Sequence, residues 1–217
     1  MDPADARIPM YDMRMKNMIK YMLLLAVLIA QLGAQSAAPP NAKEIHDKSR
    51  DDAKCGIMYG KSHWFSFCAP DGWTLDNGVG KKIGLFAILY PNGSSWESAR
   101  VSGTFMYVNT AAKKEDNDTV AQFMASDTDN VKKNVQSAVV NKGVPIKIGS
   151  LNAQVNLFAP GGYNRYEAVA YIDSPKVFIT YVISSVNEEA FKRDYPAFVR
   201  LVQTHKFFGT EVTIEDK

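Results

Sequence analysis

The stretch His63-Trp64-Phe65-Ser66-Phe67-Cys68-Ala69-Pro70-Asp71-Gly72-Trp73-Thr74-Leu75 decides the fold class. Side chains alternate across a strand, so Phe65 and Phe67 share one face while Trp64, Ser66 and Cys68 share the other. Pro70-Asp71-Gly72 then supplies a turn, because proline presets φ, the aspartate bonds its own backbone and glycine accepts positive φ. Trp73 to Leu75 opens a second short strand. A strand, a tight turn and another strand imply antiparallel neighbours.

The same period recurs down the chain. Asp76-Asn77-Gly78 reads as a turn, and Gly78-Val79-Gly80 with Lys81-Lys82 as a hairpin loop. Gly84 to Tyr90 is nearly continuous in apolar residues and reads as a third, central strand stopped by Pro91-Asn92-Gly93. Arg100 to Asn109 reads as a fourth, with Val101, Gly103, Phe105 and Tyr107 on one side. Pro145–Gly149 and Asn152–Phe158 form a hairpin around Gly149-Ser150. Tyr163–Asp173 and Lys176–Ser184 face each other across Asp173-Ser174-Pro175-Lys176, both rich in the β-branched and aromatic residues that strands favour.

Two segments switch to the helical period. Asp118 can cap a helix whose stripe holds Val120, Phe123, Met124, Val131 and Val135. Asp127 falls inside that stripe. A buried carboxylate without a partner is costly, so the helix is expected to break near Ser126, with Asp127 or Asp129 capping a second helical segment. The second stripe is Phe191, Tyr195, Phe198, Val199 and Val202, preceded by Ser185-Val186-Asn187-Glu188 in capping-box form. Pro196 inside it removes a helical hydrogen bond and is expected to kink or split the helix. Strands, helix, strands, helix make an α+β domain with an antiparallel sheet flanked by helices.

The N-terminus reads as an export signal. Met22 to Ala30 is a short apolar run behind Arg14, Lys16 and Lys20, and Ala37-Ala38-Pro39-Pro40 come after it. The run is too short to span a bilayer and has the form of a cleaved signal peptide. Cleavage is placed near Ala34, with Ser36 or Ala38 as alternatives, so residues 1–34 form the signal. Asp2, Asp5 and Asp12 oppose the positive charge such a signal needs, and Met13, Met15 and Met18 offer later starts. Residues 35–56 form a polar linker with one large apolar residue, Ile45, residues 57–209 the domain and 210–217 a tail. No cysteine directly succeeds the apolar run, so no lipid anchor is expected after cleavage. The protein is therefore expected to be periplasmic or secreted.

The 217 residues carry 25 Lys+Arg against 23 Asp+Glu, a net charge of +2, with 46% hydrophobic residues. That composition excludes a disordered or collagenous chain. The near-neutral balance speaks against nucleic acid as a partner. Two cysteines, Cys55 and Cys68, are an even pair at short separation in an exported chain, which reads as a disulfide.

The motif search is empty. There is no G-x-S-x-G, H-E-x-x-H, P-loop or G-x-G-x-x-G. Glu115-Asp116-Asn117-Asp118 resembles part of a calcium loop but has Ala121 where glycine is needed and Asp127 where glutamate is needed. The histidines His46, His63 and His205 are scattered. No catalytic, cofactor or metal residue is assigned, and no cofactor is expected. Trp64, Trp73, Tyr90 and Trp96 cluster in the first half of the domain, where aromatics serve as core fillers or as a recognition surface.

Phe65-Ser66-Phe67-Cys68-Ala69-Pro70-Asp71-Gly72-Trp73, the alternation Arg165 to Tyr171, Val177 to Val182, Glu188-Glu189-Ala190-Phe191, Phe198 and the ending His205-Lys206-Phe207-Phe208 together resemble the PsbP/DcrB-like superfamily. The resemblance implies an α/β/α sandwich around an antiparallel sheet and an accessory or binding role without shared catalytic residues. The expected function is an exported, non-enzymatic accessory or binding protein whose partner is a protein or small ligand. The alternative is a small secreted hydrolase with a dispersed Ser/His/acid site.

Overall fold

The computed structural model describes residues 54–60, 62–159 and 165–210. The segment expected to be a signal peptide, most of the expected linker, His46, the early methionines and the tail beyond Thr210 lie outside the described residues. The first strand is β1 (Cys55–Gly60), so regular structure begins two residues before the Ile57 boundary and takes in Cys55. It pairs with β2 (His63–Cys68), which buries His63, Phe65 and Phe67 and turns Trp64, Ser66 and Cys68 outward, as the alternation requires. Gly72, at φ 82, makes the turn into β3 (Trp73–Asp76).

The turn expected at Asp76-Asn77-Gly78 is instead the start of a short helix, α1 (Asn77–Lys82). Asp76 Oδ1 accepts from the Val79 amide at 2.8 Å, giving the helix a capping carboxylate in spite of its two glycines. The hairpin-loop reading of Gly78-Val79-Gly80 is corrected accordingly. β4 (Ala87–Pro91) is the next strand.

Arg100 to Ser102 is also not strand. α2 (Trp96–Ser102) occupies that stretch, with Ser95 as N-cap, Glu97 in its first turn and Arg100 in its last. β5 (Thr104–Ala112) begins only after Gly103. Val101 is consequently 65% exposed and shares no face with Phe105 and Tyr107.

α3 (Val120–Asn134) runs unbroken through Asp127, against the expected break. Its N-cap is Thr119, which forms a capping box with Gln122; Asp118 instead accepts from the Lys114 and Glu115 amides in the preceding loop. Asp127 stays in the apolar stripe because it has a partner: the Tyr171 hydroxyl donates to its Oδ2 at 2.5 Å. β6 (Val140–Lys142), β7 (Ile146–Ile148), β8 (Leu151–Phe158), β9 (Tyr166–Asp173) and β10 (Val177–Ser185) come next. α4 (Glu188–Gln203) is capped by Asn187, since Ser185 still belongs to β10, and it continues through Pro196 without splitting. β11 (Lys206–Gly209) ends the described chain.

The strands form two antiparallel sheets, one of three strands in the order β1-β2-β11 and one of eight in the order β3-β4-β5-β10-β9-β8-β6, with β7 paired to β8. β10, not β4, is the central strand, and all nine of its residues are buried. One face of the large sheet carries Ala170, Ile179, Tyr181 and Ile183 against Phe198 and Leu201 of α4 and against Phe65 and Phe67 of the small sheet. Phe67 meets Tyr181 edge-on at 5.7 Å. The opposite face carries Phe105, Tyr171 and Phe178, covered by Trp96 of α2 and Phe123 of α3. Each fully buried large side chain in this core contributes about 1.5–3 kcal/mol. The result is an α+β sandwich whose small sheet turns one face to the core and the other outward.

Candidate functional site

The outward face of the small sheet exposes several large hydrophobic side chains together: Ile57, Tyr59 and Phe208. The burial of β1 alternates strictly, so Met58 is buried while Ile57 and Tyr59 point out, 60% and 67% exposed. Register places Cys55 opposite Cys68, Ile57 opposite Ser66 and Tyr59 opposite Trp64. On the other side of β2, Lys206 faces Ser66. Alternation along β11 turns Phe208, like Lys206, outward beside Trp64, 45% exposed, with ring centroids 4.7 Å apart. Gly209 lies under the indole; a Cβ there would come within 2.9 Å of Trp64 Nε1. Ile57, Tyr59, Trp64 and Phe208 thus form one apolar, largely aromatic surface. Contiguous patches of this kind on a folded domain mark interaction sites.

Cys55 and Cys68 are joined in a disulfide on this same face, with Cα atoms 3.9 Å apart, and it fastens β1 to β2 at one end of the patch. Among the described residues no cysteine is free. Thr204, just past α4, accepts from the Cys68 amide at 2.9 Å and donates to the Leu201 carbonyl at 2.7 Å, so the end of α4 holds the far side of β2.

β1 is an edge. The Ala69 amide donates to the Lys54 carbonyl at 2.7 Å, which makes that pair a hydrogen-bonded one. Alternation then directs the backbone groups of Gly56, Met58 and Gly60 to β2 and those of Cys55, Ile57 and Tyr59 away from it. Beside this edge lies a groove of about 480 Å³, lined by Ile57, Met58 and Tyr59 and, across from them, by Asn77, Gly84, Leu85 and Phe86. A second groove, of about 680 Å³, lies between α3 and the β6–β8 region, with Met124 and Pro145 in its apolar wall and Lys142, Gln154 and Asn156 among its polar groups.

The other residues singled out in the sequence have structural surroundings. Trp73 and Trp96 are each 7% exposed and belong to the interior. Tyr90 donates to Asp76 Oδ2 at 2.9 Å. His63 is buried between Phe65 and Phe86, and burial lowers its pKa. His205 Nδ1 shares a 2.8 Å hydrogen bond with the Tyr181 hydroxyl inside the core, and burial lowers its pKa to about 4. Neither histidine meets a serine or a carboxylate among the described residues. Asp116 pairs with Lys176 at 2.8 Å, and among the described residues no three His, Cys, Asp or Glu side chains converge to hold a metal. Arg165 spends its guanidinium on the Arg100, Gly103 and Ser184 carbonyls and the Ser184 hydroxyl, and lies 5.0 Å over Phe105, tying β10 to the α2–β5 junction. No described helix is long and apolar enough to cross a membrane.

Of the four aromatics grouped in the sequence, only Trp64 reaches the candidate face. Sequence reasoning misses Tyr59 and Phe208; they are far apart in the chain and meet only because β1 and β11 both flank β2. The signal for Tyr59 is its alternation with Met58, within a strand that straddles the boundary placed between linker and domain.

No family model matches the chain, and no curated protein matches it. Two solved structures are similar over most of its length. One is the solution structure of the cyanobacterial PsbP protein CyanoP from Synechocystis sp. PCC 6803, at 11% identity and a TM-score of 0.46, covering 78% of this chain and 98% of that one. The other is the crystal structure of LpqN, involved in cell envelope biogenesis of Mycobacterium tuberculosis, at 14% identity and a TM-score of 0.48, covering 78% of this chain and 99% of that one.

Proposed function

We propose that the chain is an exported, non-enzymatic accessory protein of the cell envelope or extracellular space that binds another protein through the outer face of its small sheet. The observation that carries this reading is the exposure of Ile57, Tyr59 and Phe208 on one face with Trp64. Covering such side chains with a partner returns about 1.5–3 kcal/mol each where burial is complete. Tyrosine and tryptophan are favoured at such interfaces because they bring large, rigid contact area. The Cys55–Cys68 disulfide supports an oxidising compartment. Export is proposed to use residues 1–34 as a cleaved signal, leaving a chain that begins between Gln35 and Pro39. The hydrolase alternative draws no support from His63 or His205, whose neighbours are aromatic rings and, for His205, a tyrosine hydroxyl.

The reading is tested with the disulfide-bonded exported protein and its partner recovered from the native envelope. Trp64→Ala and Phe208→Ala should each weaken binding at least tenfold, about 1.4 kcal/mol, with little change in melting temperature. Val144→Ala, at an 81% exposed position on the β6–β7 connection, should bind as the parent does. Full binding by both aromatic variants would overturn the proposal.

A further inference from the structure

The free edge of β1 carries a more specific inference, which rests on the proposed binding role of this sheet and names the form of the partner. Proteins ordinarily guard an edge strand with lysine, proline, a bulge or a covering element. β1 reads Cys-Gly-Ile-Met-Tyr-Gly and has no charge and no proline. It pairs with β2 in unbroken register over its whole length, so no bulge bends it. Among the described residues nothing pairs with its other side. Cys55, Ile57 and Tyr59 therefore offer three N–H and three C=O groups in the order an added antiparallel strand requires. The adjacent groove runs along the same residues and has no charged side chain in its lining; the Asn77 amide and the Tyr59 hydroxyl are its polar side-chain groups. In a chain with 22% charged residues, that lining selects against a charged occupant.

We infer that β1 is a strand-addition site: an uncharged, extended segment of the partner protein pairs antiparallel with Cys55–Tyr59 and becomes a fourth strand of the small sheet. Its backbone bonds the outward groups of Cys55, Ile57 and Tyr59. Because its side chains alternate, one set enters the groove over Leu85 and Phe86, and the other set extends the aromatic face beside Tyr59. Apolar residues suit both sets.

The test uses the full exported protein with its disulfide intact and, as probe, an acetylated and amidated heptapeptide of alternating valine and serine. Residue-resolved amide exchange is recorded during peptide titration. In the free protein the Ile57 and Tyr59 amides should exchange quickly while those of Met58 and Gly60 are protected by β2. Saturating peptide should slow Ile57 and Tyr59 at least tenfold. The same peptide N-methylated at alternate residues should not. Ile57→Pro removes one outward N–H and no bond to β2, a placement edge strands accept; it should keep the melting temperature and lose the protection. No protection by the peptide up to millimolar concentration, or protection that survives N-methylation or Ile57→Pro, would overturn the inference. So would Ile57 and Tyr59 amides already protected in a concentration-dependent dimer, which would make a second copy the occupant. If the native partner binds Ile57→Pro normally but not Trp64→Ala, the aromatic face is the site and strand addition is wrong. If it binds both normally, the proposed binding role itself fails.

Discussion

Replacing Cys55 and Cys68 together with serine should loosen one edge of the domain and leave the rest standing. The bridge closes a loop with a sequence separation of 13. In the chain-entropy account a loop of that size restricts the unfolded state by about 3 kcal/mol. At roughly 2–4 °C per kcal/mol for a domain of this size, the melting temperature should fall by about 6–12 °C. The structure also says where the loss appears first. Among the described residues β1 pairs only with β2, and it reaches the core chiefly through Met58, which is 6% exposed. β2 has its own anchors in Phe65, Phe67 and Thr204. Amide exchange in the variant should therefore accelerate at Gly56, Met58 and Gly60, while the amides of β10 change only as far as global stability does. The parent protein should show no maleimide-reactive thiol until it is reduced. Two reactive thiols in protein taken from its native compartment would refute the bridge and weaken the case for export. Equal acceleration in β1 and β10 would refute the claim that the bridge acts locally.

Burial holds His205 at about 4 in the folded protein, against 6.5 for the free group. The unfolded chain thus takes up the proton first, so stability should fall as pH drops from about 6.5 towards about 4, by up to about 3 kcal/mol, and level off below. His63, also lowered by burial, adds to the fall. His205→Gln keeps an acceptor for Tyr181 and should flatten the His205 share of the curve measured by denaturant melts; an unchanged slope would contradict the assignment. Phe67→Ala removes a fully buried ring packed edge-on against Tyr181 and should cost about 3–5 kcal/mol, so a loss below about 1 kcal/mol would mean the two sheets do not share this core. Arg165→Lys cannot reproduce the fork that reaches the Arg100, Gly103 and Ser184 carbonyls. It should destabilise by about 1–3 kcal/mol through carbonyls left unpaired, and a neutral result in chemical denaturation would remove Arg165 as the clamp of that junction.

The parts of the fold governed by local rules were legible. Alternation placed Phe65 and Phe67 on one face, turn chemistry placed the β7–β8 and β9–β10 hairpins, and the second stripe found α4. Elsewhere tertiary context prevailed over local pattern. Asp127 reads as a helix breaker until Tyr171, on a strand remote in sequence, supplies its hydrogen bond. Pro196 reads as a split, yet Phe191 and Tyr195 before it and Phe198, Leu201 and Val202 after it all pack on the core and hold the helix on both sides. The α2 segment carried helix signals in Ser95, Glu97 and Arg100, but its Val101 and the adjoining Gly103 imitate strand alternation. β4 is apolar enough for a central strand, and only the non-local pairing of β5 with β10 shows where the centre lies. The candidate face was least legible of all, since β1 and β11 come from opposite ends of the domain and contribute Tyr59 and Phe208 to one surface.

The central claim, that the outer face of the small sheet contacts a partner protein, is tested most directly by a photo-crosslinking amino acid placed at Tyr59 in the protein expressed in its native host. Tyr59 is 67% exposed in the patch, opposite Trp64, and Val144, at 81%, is an equally accessible control on the β6–β7 connection. Irradiation should give one discrete protein adduct from position 59, lost in a Trp64→Ala background, and none from position 144. Equal labelling from both positions, or no adduct from position 59 in intact cells, would contradict the account.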